Sequence, residues 1–304
     1  MERNNHKKVW MADGLCLLTA AIWGTGFIAS QMAIDAQMSA ALIMFLRFTI
    51  ASVVMLMVCL PRIKKLNGRV IRAGLLPGVF LFSAFFTQIL GQERTTVSHC
   101  AFLTATNVVM VPFLVWIGSR KRPPVRTFLI TVLTLAGVSV LSIAPGSFDL
   151  SFNLGDALSL LCALLFALHL TSVSDAAKKE DVMLVNLVQM ATAAIISAVV
   201  FLVTDPGAIS RMQPDKGVPA VLFLGLFSTC LCYFLQTLAQ KYTSPSQAGV
   251  LLSTEGLFGS LFSVLLGMEA MTVNMVIGGL MILTSVILLE YFSGRERKNQ
   301  TQSV

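Results

Sequence analysis

Several polar and ionisable residues fall inside long apolar stretches of this chain, where each needs a partner or a purpose. Glu255 stands near the middle of the apolar stretch 246–267, and a charge at that depth in a bilayer costs roughly 2.5–3.5 kcal/mol on insertion scales. A carboxyl there can bind a cationic or amine-bearing solute, cycle a proton, or bond a neighbouring helix as structural glue. Arg47 lies well inside 38–60. It can attract a substrate carboxylate, but an interhelical salt bridge or snorkelling explains it as well, and the structural reading is preferred. His169 is of the one side-chain type that ordinarily titrates near neutral pH, although a buried histidine holding one hydrogen bond is the commoner situation. Gln88, Gln236 and Asn107 offer amide groups that suit a neutral polar or zwitterionic solute, or bond helix to helix. Trp23 and Tyr233 each need a partner for one polar atom when buried. Phe82, Phe85, Phe86 and Ile89 share one helical face; such a stripe is more often packed or lipid-facing than cavity-lining. The expected substrate-binding set is therefore Glu255, Asn107, Gln88, Gln236, Trp23, Tyr233, His169 and Arg47, with no catalytic residue among them.

The elements that must hold these residues follow from composition. The chain has 304 residues, 56% hydrophobic and 12% charged, and a mean hydropathy of +0.80. Soluble domains carry about twice that charged fraction, so most of this chain must face lipid. A soluble enzyme, a disordered chain, a disulfide scaffold and a nucleic-acid-binding domain are excluded on that ground. The net charge of +7 reflects basic clusters between apolar stretches, as cytoplasmic loops carry. Six cysteines and three histidines show no metal-ligand spacing, so neither a metal nor a disulfide framework is expected. No Walker motif is present, which excludes ATP-driven pumping by this chain alone.

A membrane helix needs about 20 apolar residues. Ten stretches qualify: 11–32, 38–60, 73–92, 97–118, 127–144, 155–175, 184–203, 217–238, 246–267 and 274–292. Pro and Gly mark most of the connections, among them Pro61, Pro123–Pro124, Pro145–Gly146 and Pro245. With the N-terminus cytoplasmic, the inner segments hold the clusters Arg3–Lys8, Arg62–Arg72, Arg120–Arg126, Lys178–Lys179 and Arg295–Lys298, together with Lys241. The outer loops hold only Arg94, Arg211 and Lys216. The positive-inside rule thus places both termini in the cytoplasm. The run Gly24–Ala29 matches a dinucleotide fingerprint, but inside an apolar helix its small residues serve close packing, as do Gly74 and Gly78.

The chain also repeats itself. Sliding it by 148 positions matches Phe86 with Phe234, Gln88 with Gln236, Gln92 with Gln240, Thr95 with Thr243 and Thr106 with Thr254, and places Asn107 on Glu255. A slide of 143 places Asp13 on Asp156. Each unit, 1–146 and 147–304, then holds five spans. Five is odd, so the second copy enters the membrane from the opposite side, an arrangement that lets a midplane site open alternately to either side.

With these features in place, the sequence resembles the drug/metabolite transporter superfamily in its ten-helix EamA-type branch. The likeness rests on Trp23–Phe27 in span one, Arg47–Phe48 in span two, Leu135–Val138 in span five and Gly278–Leu283 in span ten. Two places depart from the family pattern: Gly256, where Pro often follows the glutamate, and Gly267-Met268-Glu269, where Gly-Glu is usual. The resemblance implies export or exchange of small metabolites, often amino acids or related compounds, from a central cavity.

The reading is an all-α integral membrane protein that is not an enzyme: a secondary transporter exporting a small polar metabolite across the plasma membrane by alternating access. The alternatives are a lipid or lipid-linked-sugar flippase, a small-multidrug exporter, or an embedded lipid-modifying enzyme. The last lacks a visible acid–base or metal cluster. The partners considered are a small-molecule substrate, the lipid bilayer, a coupled proton and a second copy in a homodimer. Nucleic acid and cofactors are not expected.

Overall fold

The computed structural model describes residues 2–95, 97–120, 122–142, 153–265, 267 and 270–302. The unit boundary expected at 146/147, the Pro145–Gly146 connection, Lys121, Met268 and Glu269 lie outside them. Every described element is helical. In order they are α1 (Glu2–Gly24), α2 (Gly26–Asp35), α3 (Ala40–Cys59), a 3-10 turn (Leu60–Lys65), α4 (Gly68–Gln92), α5 (Val97–Ala105), α6 (Asn107–Ser119) and α7 (Val125–Ser142). There follow α8 (Leu154–Lys179), α9 (Val182–Thr204), α10 (Ala208–Arg211), α11 (Pro214–Phe223), a π-helical segment (Leu224–Leu231), α12 (Cys232–Gln240), α13 (Pro245–Leu252), α14 (Glu255–Leu265) and α15 (Val273–Gln302). Starts are set by short polar side chains that accept from orphan N–H groups: Ser39, Asn67, Asn153, Asp181 and Ser244 cap α3, α4, α8, α9 and α13.

Among the described residues, eight continuous or nearly continuous stretches are long and apolar enough to cross a membrane. Val125–Leu141 is a shorter apolar helix, while α13 and α14 are each too short to span alone. Burial runs opposite to that of a soluble bundle. On α9, Ile195, Val199, Leu202 and Val203 are exposed, whereas Asn186, Gln189 and Ser197 are fully buried. Apolar side chains outward and polar ones inward is the pattern expected where lipid replaces water as solvent.

Small residues let the helices approach. A Cβ on Gly24 would stand 2.6 Å from the Gly259 nitrogen, joining the end of α1 to α14. A Cβ on Gly278 would stand 2.6 Å from the Gly137 carbonyl oxygen, joining α7 to α15, where Thr134 Oγ1 donates to Ser285 Oγ at 2.9 Å. Gly74 and Gly78 likewise meet α9, a Cβ on either coming within 2.6 Å of Val188 or Thr192, in line with the packing role expected of them.

Three apolar stretches expected to be continuous are broken, at Thr25, Thr106 and Ser253–Thr254. The same chemistry occurs at each break. Thr25 Oγ1 donates to the Ile22 carbonyl at 2.7 Å, Thr106 to Leu103 at 2.6 Å, and Thr254 to Leu251 at 2.6 Å. Each of these carbonyls also accepts the threonine's own backbone N–H, at 3.2, 3.2 and 3.3 Å, so the hydroxyl adds a second local bond within the tightened turn. Two of these threonines, Thr106 and Thr254, are the pair that the 148-residue slide superimposes.

Candidate functional site

The breaks converge on one cavity, with about 710 Å³ of empty space including its open side. Gly26 and Phe27 follow the first break, Ala105 and Asn107 flank the second, and Ser253 and Glu255 flank the third; all six line the cavity. Irregular backbone at membrane depth is tolerated where it borders a cavity rather than lipid. All eight residues named from sequence border this space: Trp23 from α1, Arg47 from α3, Gln88 from α4, Asn107 from α6, His169 from α8, Tyr233 and Gln236 from α12, and Glu255 from α14.

Their bonding differs. Trp23 Nε1 donates to the Ser228 carbonyl at 2.8 Å, so its polar atom is satisfied. His169 Nε2 meets Gln189 Oε1 at 3.0 Å, and the Gln189 amide donates in turn to Asn186 Oδ1 at 2.6 Å and Thr237 Oγ1 at 3.2 Å. His169 is thus the buried, hydrogen-bonded histidine that was the commoner expectation. Gln236 Nε2 donates to Gln240 Oε1 at 3.1 Å, and Gln240 Nε2 to the Leu170 carbonyl at 2.9 Å. Gln236 Oε1 is buried without a partner among the described residues. The side chains of Gln88, Asn107 and Glu255 also make no hydrogen bond there. These groups have bonds left to make with a solute or water in the cavity.

Tyr233 is the aromatic hub. Its ring lies 5.1 Å from Trp23, 5.4 Å from His169 and 5.8 Å from Phe85. The Tyr233 phenol lies within electrostatic reach of both Arg47 and Glu255. Asn107 and Glu255 are the first residues of α6 and α14. Unpaired N–H groups at such a helix start favour a negative charge beside them, which suits a carboxyl at Glu255.

Arg47 departs from its expected surroundings. It neither snorkels, being 1% exposed, nor meets a carboxylate among the described residues. Its Nε and Nη2 donate instead to Thr229 Oγ1, at 3.0 and 2.8 Å, and its guanidinium carbon sits 3.8 Å from the Phe85 ring centroid. A hydroxyl and an aromatic face therefore take the place of an ion pair. Phe85 lines the cavity, while Phe82, 6% exposed, stacks on Phe86, so one residue of the aromatic stripe reaches the site.

Sequence reasoning missed Phe85, Phe166, Ser30, Thr104, Ser228 and Ser253 as lining, and Thr229 as the partner of Arg47. The helix-breaking threonines did carry a signal: Thr25 stands between two glycines, and Thr106 and Thr254 are repeat partners.

Comparison with known proteins places this architecture. The model of the EamA-like transporter family matches the chain twice, over residues 10–143 and 153–291. An uncharacterized transporter of Archaeoglobus fulgidus is 30% identical over 287 residues, covering 93% of this chain and 86% of that protein. The uncharacterized transporter YetK of Bacillus subtilis is 26% identical over 241 residues, covering 71% of this chain and 67% of its own. A solved crystal structure superposes with a TM-score of 0.76 over 93% of this chain and 98% of the other, at 19% identity, and so shares the fold.

Proposed function

Because the chain belongs to the EamA-like transporter family, as a multi-pass membrane protein built from two copies of the family unit, we propose that it is a secondary transporter moving a small polar metabolite, an amino acid or related compound, across the plasma membrane. The observation that carries this reading is the cavity itself, bordered by three helix breaks and by unsatisfied polar groups from both copies. Ten spans are counted when α13 with α14 and the shorter α7 each serve as a crossing. The units are 1–146 and 147–304, inverted with respect to each other, with both termini cytoplasmic. Transport then proceeds by one half rocking against the other around the cavity, in the export direction.

Glu255, Asn107, Gln88, Gln236, Trp23, Tyr233, His169 and Arg47 form the substrate-binding set. Glu255 also serves as the proton-coupling group, since an ionisable residue inside a membrane helix is costly unless its charge is used. The test is untargeted metabolomics of cells and medium, comparing wild type, Glu255→Gln and an empty vector at matched membrane abundance. Depletion of a few solutes from cells, with their accumulation in the medium, only with wild type supports export. A change confined to lipid profiles supports the flippase alternative and removes this reading.

A further inference from the structure

Arg47 is the most deeply buried charge bordering the cavity, and no carboxylate among the described residues pairs with it. Thr229 occupies the Nε–Nη2 edge of the guanidinium, and Phe85 lies against the group at 3.8 Å. The Nη1–Nη2 end makes no other bond among the described residues. A guanidinium presents five donors in a planar fork, and that remaining end has the geometry that receives a carboxylate through two parallel bonds. Glu255 borders the same cavity but forms no ion pair with Arg47. A buried cation whose partners are a hydroxyl and two aromatic rings, Phe85 at 3.8 Å and Phe48 at 5.7 Å, keeps most of its desolvation cost uncompensated.

The surroundings hold Arg47 in this attitude. Gly225 lets the π-helical segment come against α3: a Cβ there would stand 2.8 Å from Ile50 Cβ and 3.2 Å from the Arg47 carbonyl oxygen. The same segment supplies Thr229 to Arg47 and the Ser228 carbonyl to Trp23. Short π-helical insertions recur at functional sites because they redirect groups that a regular helix would align differently.

We propose that the open end of the Arg47 guanidinium receives a carboxylate of the transported solute, with Thr229 and Phe85 as positioning residues. This rests on the transporter reading, because it takes the cavity as the solute's binding place. A carboxylate there supplies the anion that none of the described residues provides, and its departure leaves that end of Arg47 open again, which keeps binding reversible.

The test uses the purified full chain and a panel of L-amino acids and simple monocarboxylic acids, each measured against its own amide. Apparent affinity is read from the concentration dependence of thermal stabilisation at fixed pH and ionic strength. At least one acid is expected to bind about tenfold or more tightly than its amide. Arg47→Gln should bring the pair within about twofold, Arg47→Lys should keep only part of the preference because a point charge cannot make the two parallel bonds, and Thr229→Val should weaken it while leaving the cation in place. Should Arg47→Gln fail to fold, Thr229→Val alone decides, since unchanged discrimination in that variant overturns the positioning role. The proposal is also overturned if no acid is preferred in the wild type, if Arg47→Gln keeps the preference, or if sodium chloride stabilises as well as the acids do. A protein that binds acids with this preference but moves none across proteoliposome membranes keeps the Arg47 assignment and loses the transport reading. One that moves a neutral solute and shows no acid preference does the reverse.

Discussion

The two halves of the molecule share a frame and differ in chemistry. α5 and α6 part at Thr106, and α13 and α14 part around Thr254, with the same hydroxyl-to-carbonyl bond. Asp13 accepts from Gln247 Nε2 at 3.0 Å, tying α1 to α13, and Asp156 accepts from Thr95 Oγ1 at 2.7 Å, tying α8 to the residues just before α5. Matched acids thus secure matched helices. The first residue after the second break is Asn107 in one half, and its counterpart after the third is Glu255 in the other. α8 runs unbroken over Leu154–Lys179 where its counterpart α1 ends at Gly24, and α4 is regular where the second half inserts the π-helical segment Leu224–Leu231. The departures from symmetry lie at the cavity: Glu255, the Thr25 break and the segment that receives Arg47 and Trp23. Duplication supplies the scaffold, and these divergences between the copies border the cavity.

The frame is the most sensitive part. Gly24→Val and Gly278→Val each force a side chain onto backbone atoms of a facing helix, whereas a Cβ on Gly118 meets nothing within 4 Å. The first two are expected to lose about 1–3 kcal/mol or more, read as loss of monodisperse protein and a lowered unfolding temperature. Gly118→Ala is expected to be neutral or slightly stabilising. Equal tolerance at all three sites would contradict the close-packed seams.

The cavity substitutions come next. Glu255→Gln is expected to lower transport about tenfold or more and to remove its dependence on a pH gradient. At its counterpart, Asn107→Ala should weaken transport without altering pH dependence, because an amide carries no titrating proton. Measured in the same proteoliposomes, identical behaviour of the two variants would mean that the halves contribute alike and that Glu255 has no special part.

The breaks themselves sharpen the comparison further. Thr106→Val and Thr254→Val each remove one hydrogen bond to a carbonyl, with an expected cost of about 1 kcal/mol apiece. If the breaks are true counterparts, the two unfolding temperatures fall by similar amounts. A large effect at one and none at the other would make the resemblance of the breaks incidental.

The smallest effect belongs to the contact between the 3-10 turn and the start of α9, where Arg62 meets Asp181 at 3.0 Å. Partial burial works against the Asp181 carboxylate, but the N–H groups of Leu184 and Met183 and the Arg62 guanidinium outweigh it and hold its pKa below the ordinary value. A depressed folded pKa gives stability that is present above the unfolded pKa of about 3.9 and is lost as pH falls through the lower folded value. For this half-exposed pair the contribution is expected to be at most about 1 kcal/mol. Asp181→Asn should flatten that part of the stability profile below about pH 4, and an unchanged profile would contradict it.

Much of the frame was legible in the sequence because lipid imposes simple rules. Among the described residues, eight of the apolar stretches lie on helices long and apolar enough to cross a membrane and a ninth on the shorter Val125–Leu141, while 246–267 is split between α13 and α14; the matched Gln, Thr and Asp residues pointed to the duplication. Residues such as Gln88, Asn107 and Glu255 could be selected because a polar group in an apolar helix must face something other than lipid. The breaks were hidden because a threonine hydroxyl bonds within its own turn and leaves the apolar run uninterrupted. Arg47 was misjudged because a buried cation invites a search for a carboxylate, and its partner, 182 residues away, is an uncharged hydroxyl. The π-helical segment has no periodicity of its own to read, since it differs from its α-helical neighbours in hydrogen-bond register rather than residue type.

The central claim is that the two halves open one cavity alternately to the two sides of the membrane. The most direct measurement places Ser253→Cys in a background without the six native cysteines and follows its modification by a membrane-impermeant thiol reagent, added to one side or the other of oriented proteoliposomes. Labelling from either side is predicted, with Asp13→Ala and Asp156→Ala shifting the ratio of the two rates in opposite directions. Labelling from one side only, unaltered by either aspartate, would contradict alternating access.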